Sequence, residues 1–176
     1  VINPGVKFDT ALILVGPQET YKSTFIKKLG KDWFSDTFTT VQGKESFEQL
    51  QGAWIIEMAE LSGLKKAEVE TIKHFISKRE DQFRPAYGRT VETYRRQCVF
   101  FGTTNKDDFL RDPTGNRRFL PVDVRPEFVT KSVPNDLTEE EIDQIWAEAY
   151  TLYKNGEPLF MTGEEDIIAK IEQHKH

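Results

Sequence analysis

The chain has 176 residues, 38% hydrophobic and 30% charged, which is enough for one domain with a buried core. No apolar run approaches a membrane span, and "VINPGVKFDT" lacks the basic and apolar segments of a secretory signal. Net charge is −5 but uneven: Lys65–Arg96 holds nine Lys and Arg against five Asp and Glu, while Glu127 to the end holds four against twelve. A basic middle on an acidic protein permits nucleic-acid binding, although a solvated helix face has the same composition.

A single Cys98 excludes an internal disulfide, and with three scattered His a zinc site is not expected. Within "QCVFFG" Cys98 reads as a small buried apolar residue, in keeping with a reducing, cytoplasmic setting. The missing initiator Met and the charged ending "EQHKH" are expected of a segment cut from a longer protein.

In chain order, "TALILVG" reads as a buried strand closed by glycine. "STFIKKLG" reads as a short helix with Gly30 as its C′ residue. "AWIIEMAE" is a second buried strand with acids at its end. "KKAEVETIKHFISKR" sets Val69, Ile72, Phe75 and Ile76 on one helical face. "FRPAYGRTVETYRRQ" has the turn residues and alternation of a hairpin or an extended loop, and "QCVFFGTTN" is a third buried strand.

Thr138 and Glu141 form a capping box, with Leu137 and Ile142 placed as a hydrophobic staple. Ile142, Ile145, Trp146, Ala149 and Tyr153 continue an apolar face that reads as core. Thr162 with Glu165 opens a final helix in the same way. Strands interleaved with helices predict an α/β sheet covered on both faces. One domain over 1–176 is expected, with its motifs in about 8–126 and a helical part at about 136–176.

The stretch "GPQETYKST", Gly16 to Thr24, has the outline G-x-x-x-x-G-K-[ST] with Tyr21 in place of the second glycine. Such a loop works where it joins a strand to a helix N-terminus, because backbone N–H groups and the helix dipole then face the phosphates. That context is present. Lys22 would reach the β- and γ-phosphates of a nucleotide, and the Ser23 hydroxyl would sit on Mg²⁺. A left-handed backbone at Tyr21 would cost about 1–2 kcal/mol. If the position needs only close approach, the ring can point away. A strand-to-helix turn with a surface lysine is the plainer alternative.

Glu57 and Glu60 lie at the end of the second strand, where one acid can hold a metal and the other polarise water, or where both simply make a solvated strand end. Asn105, after the third strand, is placed to orient water, or to serve as a turn residue. In "DPTGNRRFLPVDV", Arg117 and Arg118 lie between a turn and an apolar strand. One of them could stabilise a transferring phosphoryl group in a neighbouring subunit, or both could be surface residues.

The ordered set "GPQETYKST", "WIIEMAEL", "FRPAYGRTVETYRRQCVFFGTTN" and "DPTGNRRFLPVDV" resembles the virulence-associated E family. These are ATPase domains of phage and mobile-element replication proteins, related to superfamily III helicases of the AAA+ class. The likeness covers about Ala11 to Val124. It implies a three-layer αβα P-loop NTPase core with a mainly parallel sheet, homo-oligomeric rings, and ATP hydrolysis coupled to movement on DNA. Lys22 and Ser23 match the Walker A pair, within a nucleotide loop of Gly16, Gln18, Glu19, Thr20, Tyr21 and Thr24. Glu57 matches the metal-side acid, Glu60 the catalytic acid, Asn105 sensor 1, and Arg117 or Arg118 the arginine finger. Tyr21 departs from the family's glycine.

Related helicases carry a channel-facing loop where this chain has Lys78–Arg96. Arg84, Arg89, Arg95 and Arg96, mixed with Phe83, Tyr87 and Tyr94, would suit single-stranded DNA, charge following phosphates and rings stacking on bases. A charged hairpin with its aromatics in the core has the same composition. Two other readings stay open: a P-loop phosphotransferase, and a non-hydrolysing scaffold that binds DNA or a protein.

Overall fold

The computed structural model describes residues 2–59, 66–105, 116–161 and 163–175. Its centre is a five-stranded, all-parallel sheet of order β2-β3-β6-β1-β7. The strands are β1 (Ala11–Val15), β2 (Phe34–Ser35), β3 (Ile55–Met58), β6 (Val99–Thr104) and β7 (Phe119–Asp123). A separate antiparallel hairpin pairs β4 (Glu80–Phe83) with β5 (Glu92–Arg95). The helices are α1 (Lys22–Gly30), α2 (Glu45–Glu48), α3 (Lys66–Ile76), α4 (Val133–Asp136), α5 (Glu139–Lys154) and α6 (Glu164–Lys175). Among the described residues no helix is long and apolar enough to cross a membrane.

Side-chain alternation divides the strands between two hydrophobic clusters. Ala11, Ile13, Val15, Ile56, Met58 and Phe100 pack with Ile72, Phe75 and Ile76 of α3. Leu12, Leu14, Ile55, Val99 and Phe101 face the opposite way and pack with Phe25, Ile26 and Leu29 of α1. Both faces of the sheet are therefore covered. Burying each central side chain, such as Ile13 or Ile56, contributes about 1.5–3 kcal/mol.

The structure corrects four sequence expectations. Gly30 is the last helical residue of α1 and has a right-handed backbone; Lys31 takes the positive φ of 48° that ends the helix. What requires glycine is proximity, since a Cβ there would lie 2.7 Å from Cβ of Phe34. The expected hairpin forms but begins earlier, at Glu80, and 84–91 makes its connecting loop. Its first strand is "EDQF", where an inward-facing acid, Asp81, disguises the alternation.

Asp81 accepts two hydrogen bonds from Arg96, at 2.7 and 2.8 Å, with both side chains almost fully buried. Arg96 also lies 4.4 Å from the Phe75 ring centre, so it belongs to the core and not to a DNA surface. Finally, α5 keeps its capping box and buries Ile142, but Ile145, Trp146 and Tyr153 are exposed. Their apolar face is not core. The Thr162 cap lies outside the described residues. Cys98 is partly buried against the main cluster, and burial pushes its thiol up to about 11.

Candidate phosphate-binding site

The loop after β1 lies at the carboxyl end of the parallel strands, where open α/β sheets bind ligands. Three local facts shape it. Gly16 donates its N–H to the carbonyl of Thr104 at 3.1 Å, tying the loop to the end of β6. A Cβ on Gly16 would lie 2.6 Å from the carbonyl oxygen of Val124, so only glycine passes there. Glu19 and Tyr21 both adopt left-handed backbone, with φ of 63° and 59°.

Tyr21 is the residue immediately before α1, and its side chain is 52% exposed. The position that the G-x-x-x-x-G-K-[ST] outline fills with glycine thus has the backbone glycine would favour, and the tyrosine ring points outward. No side chain caps α1, and its first turn holds no acid. Its leading N–H groups and the positive end of its dipole face a cavity of about 580 Å³. That cavity is lined by Gln18 through Thr24 together with Thr103, Thr104 and Asn105.

The Lys22 ammonium donates to three loop acceptors: the Pro17 carbonyl at 2.6 Å, the Gly16 carbonyl at 2.9 Å and Thr20 Oγ1 at 3.1 Å. Thr20 in turn donates to the Pro17 carbonyl at 2.8 Å. Burial lowers the Lys22 pKa from its ordinary value, because an ammonium loses hydration against the loop.

Beneath the start of α1, Ser23 Oγ donates to Glu57 Oε1 at 2.6 Å, and Thr103 Oγ1 donates to the same oxygen at 3.1 Å. Glu57 is 3% exposed. Alternation along β3 sets it on the face of Ile55, toward α1. Alternation along β6 sets Thr103 on the same face as Phe101. A carboxylate held by two hydroxyls beside a helix N-terminus is a suitable donor set for a hard cation such as Mg²⁺, directly or through water. Thr103 was not singled out by the sequence; its signal was the polar ending of an otherwise apolar strand.

The structure therefore brings together Gly16, Gln18, Glu19, Thr20, Tyr21, Lys22, Ser23, Thr24, Glu57 and Asn105. Glu60 lies outside the described residues. Arg117 and Arg118 are elsewhere. They precede β7, and Asp9 precedes β1, so all three sit at the amino end of the strands, about 15 Å of strand away from the loop.

Asp9 is buried, and Arg117 Nη2 donates to its Oδ2 at 3.2 Å. Arg118 Nε lies 3.9 Å from the same oxygen and donates to Ser77 Oγ at 2.7 Å. Arg118 is 25% exposed and Arg117 61%. Arg84, Tyr87 and Arg89 are exposed in the hairpin loop and Arg95 on β5, whereas Phe83 is buried and stacks on Tyr94 with ring centres 4.5 Å apart. The hairpin thus divides its aromatics between core and surface.

Fold and site together define an α/β protein with a candidate anion-binding loop and helix start at the carboxyl edge of a parallel sheet. The chain belongs to the virulence-associated protein E-like domain family, whose model matches residues 1–176. No curated protein matches it. Among solved structures it is similar to the A form apo structure of the NrS-1 C-terminal region, at 17% identity and a TM-score of 0.52, covering 93% of this chain and 39% of that one. A second apo structure of the same region gives 16% identity and a TM-score of 0.52, over 96% and 43%. The likeness is one of fold, and this chain spans about two fifths of the length of those structures.

Proposed function

We propose that the chain is the Mg-ATP-binding and hydrolysing module of a helicase-like or primase-helicase-like DNA replication protein of a phage or mobile element. The observation that carries this reading is the Ser23–Glu57–Thr103 cluster, facing the uncapped start of α1 beside Lys22. In this reading Lys22 and the N–H groups of α1 hold the β- and γ-phosphates, and Ser23 and Glu57 hold Mg²⁺. Asn105 orients the attacking water, and Glu60 takes its proton.

The positions of Arg117 and Arg118 support action in trans, since neither can reach its own chain's loop across the sheet. Arg117 is the better finger, because it is the more exposed of the two and Arg118 is tied to Ser77. A homo-oligomeric ring then completes each site. DNA is the partner assigned to the hairpin residues Arg84, Tyr87, Arg89 and Arg95.

Calorimetric titration with Mg-ATP tests the core of this reading. Wild type binds and Lys22→Ala does not; equal binding by both would overturn it. One observation favours a non-hydrolysing scaffold: the left-handed tyrosine at position 21. That second reading predicts DNA affinity without nucleotide binding.

A further inference from the structure

A second cavity, of about 660 Å³, lies at the base of the hairpin, away from the phosphate loop. It is lined by Asn3 to Val6 together with Arg79, Glu80 and Arg95. Backbone contacts fix its walls: Gly5 N–H donates to the Arg96 carbonyl at 2.9 Å, Arg96 N–H to the Arg79 carbonyl at 3.0 Å, and Val6 N–H to the Asn3 carbonyl at 3.2 Å.

Arg79 is aimed by one further bond, from its Nε to the Gly5 carbonyl at 2.8 Å. Its two terminal nitrogens donate to no described residue. Arg95 makes no side-chain hydrogen bond or ion pair with any described residue. Glu80 lies opposite Arg95 in the hairpin register, yet pairs with neither arginine.

A lining of two guanidinium groups and one carboxylate leaves a single positive charge. The geometry points to a binding site for one phosphodiester of a DNA single strand, held by the free edges of Arg79 and Arg95. Guanidinium matches the paired oxygens of a phosphate, and the carboxylate of Glu80 suits a singly charged phosphodiester better than a terminal phosphate. This assignment rests on the proposal that DNA is a partner, and extends it from the exposed loop to the hairpin base and the turn at Asn3–Val6. The strand would run between Arg84 and Arg89 at one end and Arg79 and Arg95 at the other.

The test is fluorescence anisotropy with labelled oligothymidylate over a range of salt, using wild type, Arg79→Ala/Arg95→Ala, Glu80→Gln and Arg84→Ala/Arg89→Ala. Loss of one phosphate contact lowers the slope of log affinity against log salt by about 0.7 for a single strand. The Arg79/Arg95 variant is expected to show that drop with affinity reduced roughly tenfold.

Glu80→Gln is expected to bind more tightly than wild type, a gain that misfolding cannot imitate. Wild-type slope in the Arg79/Arg95 variant, with unchanged affinity in Glu80→Gln, overturns the site. If the Arg84/Arg89 variant still loses binding, the DNA reading survives that failure. No binding of oligothymidylate by wild type overturns both.

Discussion

Ser23 Oγ and Glu57 Oε1 are 2.6 Å apart, joining the first turn of α1 to the buried end of β3 across 34 residues of sequence. Each residue is ordinary alone. Together they place a hydroxyl and a buried carboxylate at a helix N-terminus, at the positive end of its dipole. The bond also couples fold to site. Ser23→Ala leaves Glu57 with Thr103 as its hydroxyl partner and is expected to lower stability by about 1.5–3 kcal/mol, the usual worth of a hydrogen bond to a charged group. Denaturant unfolding measures this. In parallel, Glu57→Gln is expected to remove the Mg²⁺ dependence of ATP binding while leaving metal-free ATP affinity near the wild-type value. Equal Mg²⁺ dependence in both proteins would show that Glu57 is not the metal-side acid.

Tyr21 holds φ of 59° with its ring outward, so its strain is backbone strain. A left-handed non-glycine residue costs about 1–2 kcal/mol, and glycine gives back part of that through its freer unfolded chain. Tyr21→Gly is therefore expected to raise stability by roughly 0.5–1 kcal/mol. It should also tighten Mg-ATP binding, because the relaxed loop adapts to phosphate at lower cost. A calorimetric comparison with wild type decides the matter. A weaker affinity in the glycine variant would mean that the ring itself contacts nucleotide.

The sheet was legible because β1, β3 and β6 are apolar runs closed by glycine or polar residues. Two-residue β2 was too short for any periodicity to register. The phosphate loop was legible as a pattern, but the backbone at Tyr21 was not, since one outline fits either hand of φ. Arg96 was misread for a physical reason: next to Arg95 in sequence, it points inward to Asp81 and the ring of Phe75. Composition does not show which of two adjacent arginines is buried. The apolar stripe of α5 likewise shows a face, not what covers it.

Arg117 and Arg118 make a sharper pair. Both approach Oδ2 of Asp9, but Arg118 is also tied to Ser77 and the more covered of the two. Arg118→Ala is expected to lower stability by about 1–3 kcal/mol through the loss of charge-assisted hydrogen bonding. Arg117→Ala, which removes the 3.2 Å bond to buried Asp9, is expected to lower stability by about 1–3 kcal/mol as well, yet to bind Mg-ATP normally and lose hydrolysis under conditions of assembly. A finger supplied in trans is commonly worth about 10³-fold or more in rate. Mixing Arg117→Ala with Lys22→Ala chains should restore part of the activity, since each supplies what the other lacks. Turnover by Arg117→Ala at the wild-type rate would exclude it as the finger.

Lys22 gives two pH dependences of opposite sign. Burial against the loop lowers its pKa from 10.5, whereas in the unfolded chain it keeps the ordinary value. Between those two values the unfolded state holds a proton that the folded state has released. Stability therefore rises with pH across that window, relative to a variant that cannot titrate. Phosphate acts the other way, because its negative charge favours the ammonium. Mg-ATP affinity is then expected to fall over the same window, and binding there to take up a proton. Denaturation midpoints and calorimetric titrations of wild type and Lys22→Met, at neutral pH and just below 10.5, separate these effects. Parallel stability profiles for the two proteins would show that the ammonium is fully solvated. A wild-type affinity that holds steady with rising pH would remove Lys22 from the phosphate contact.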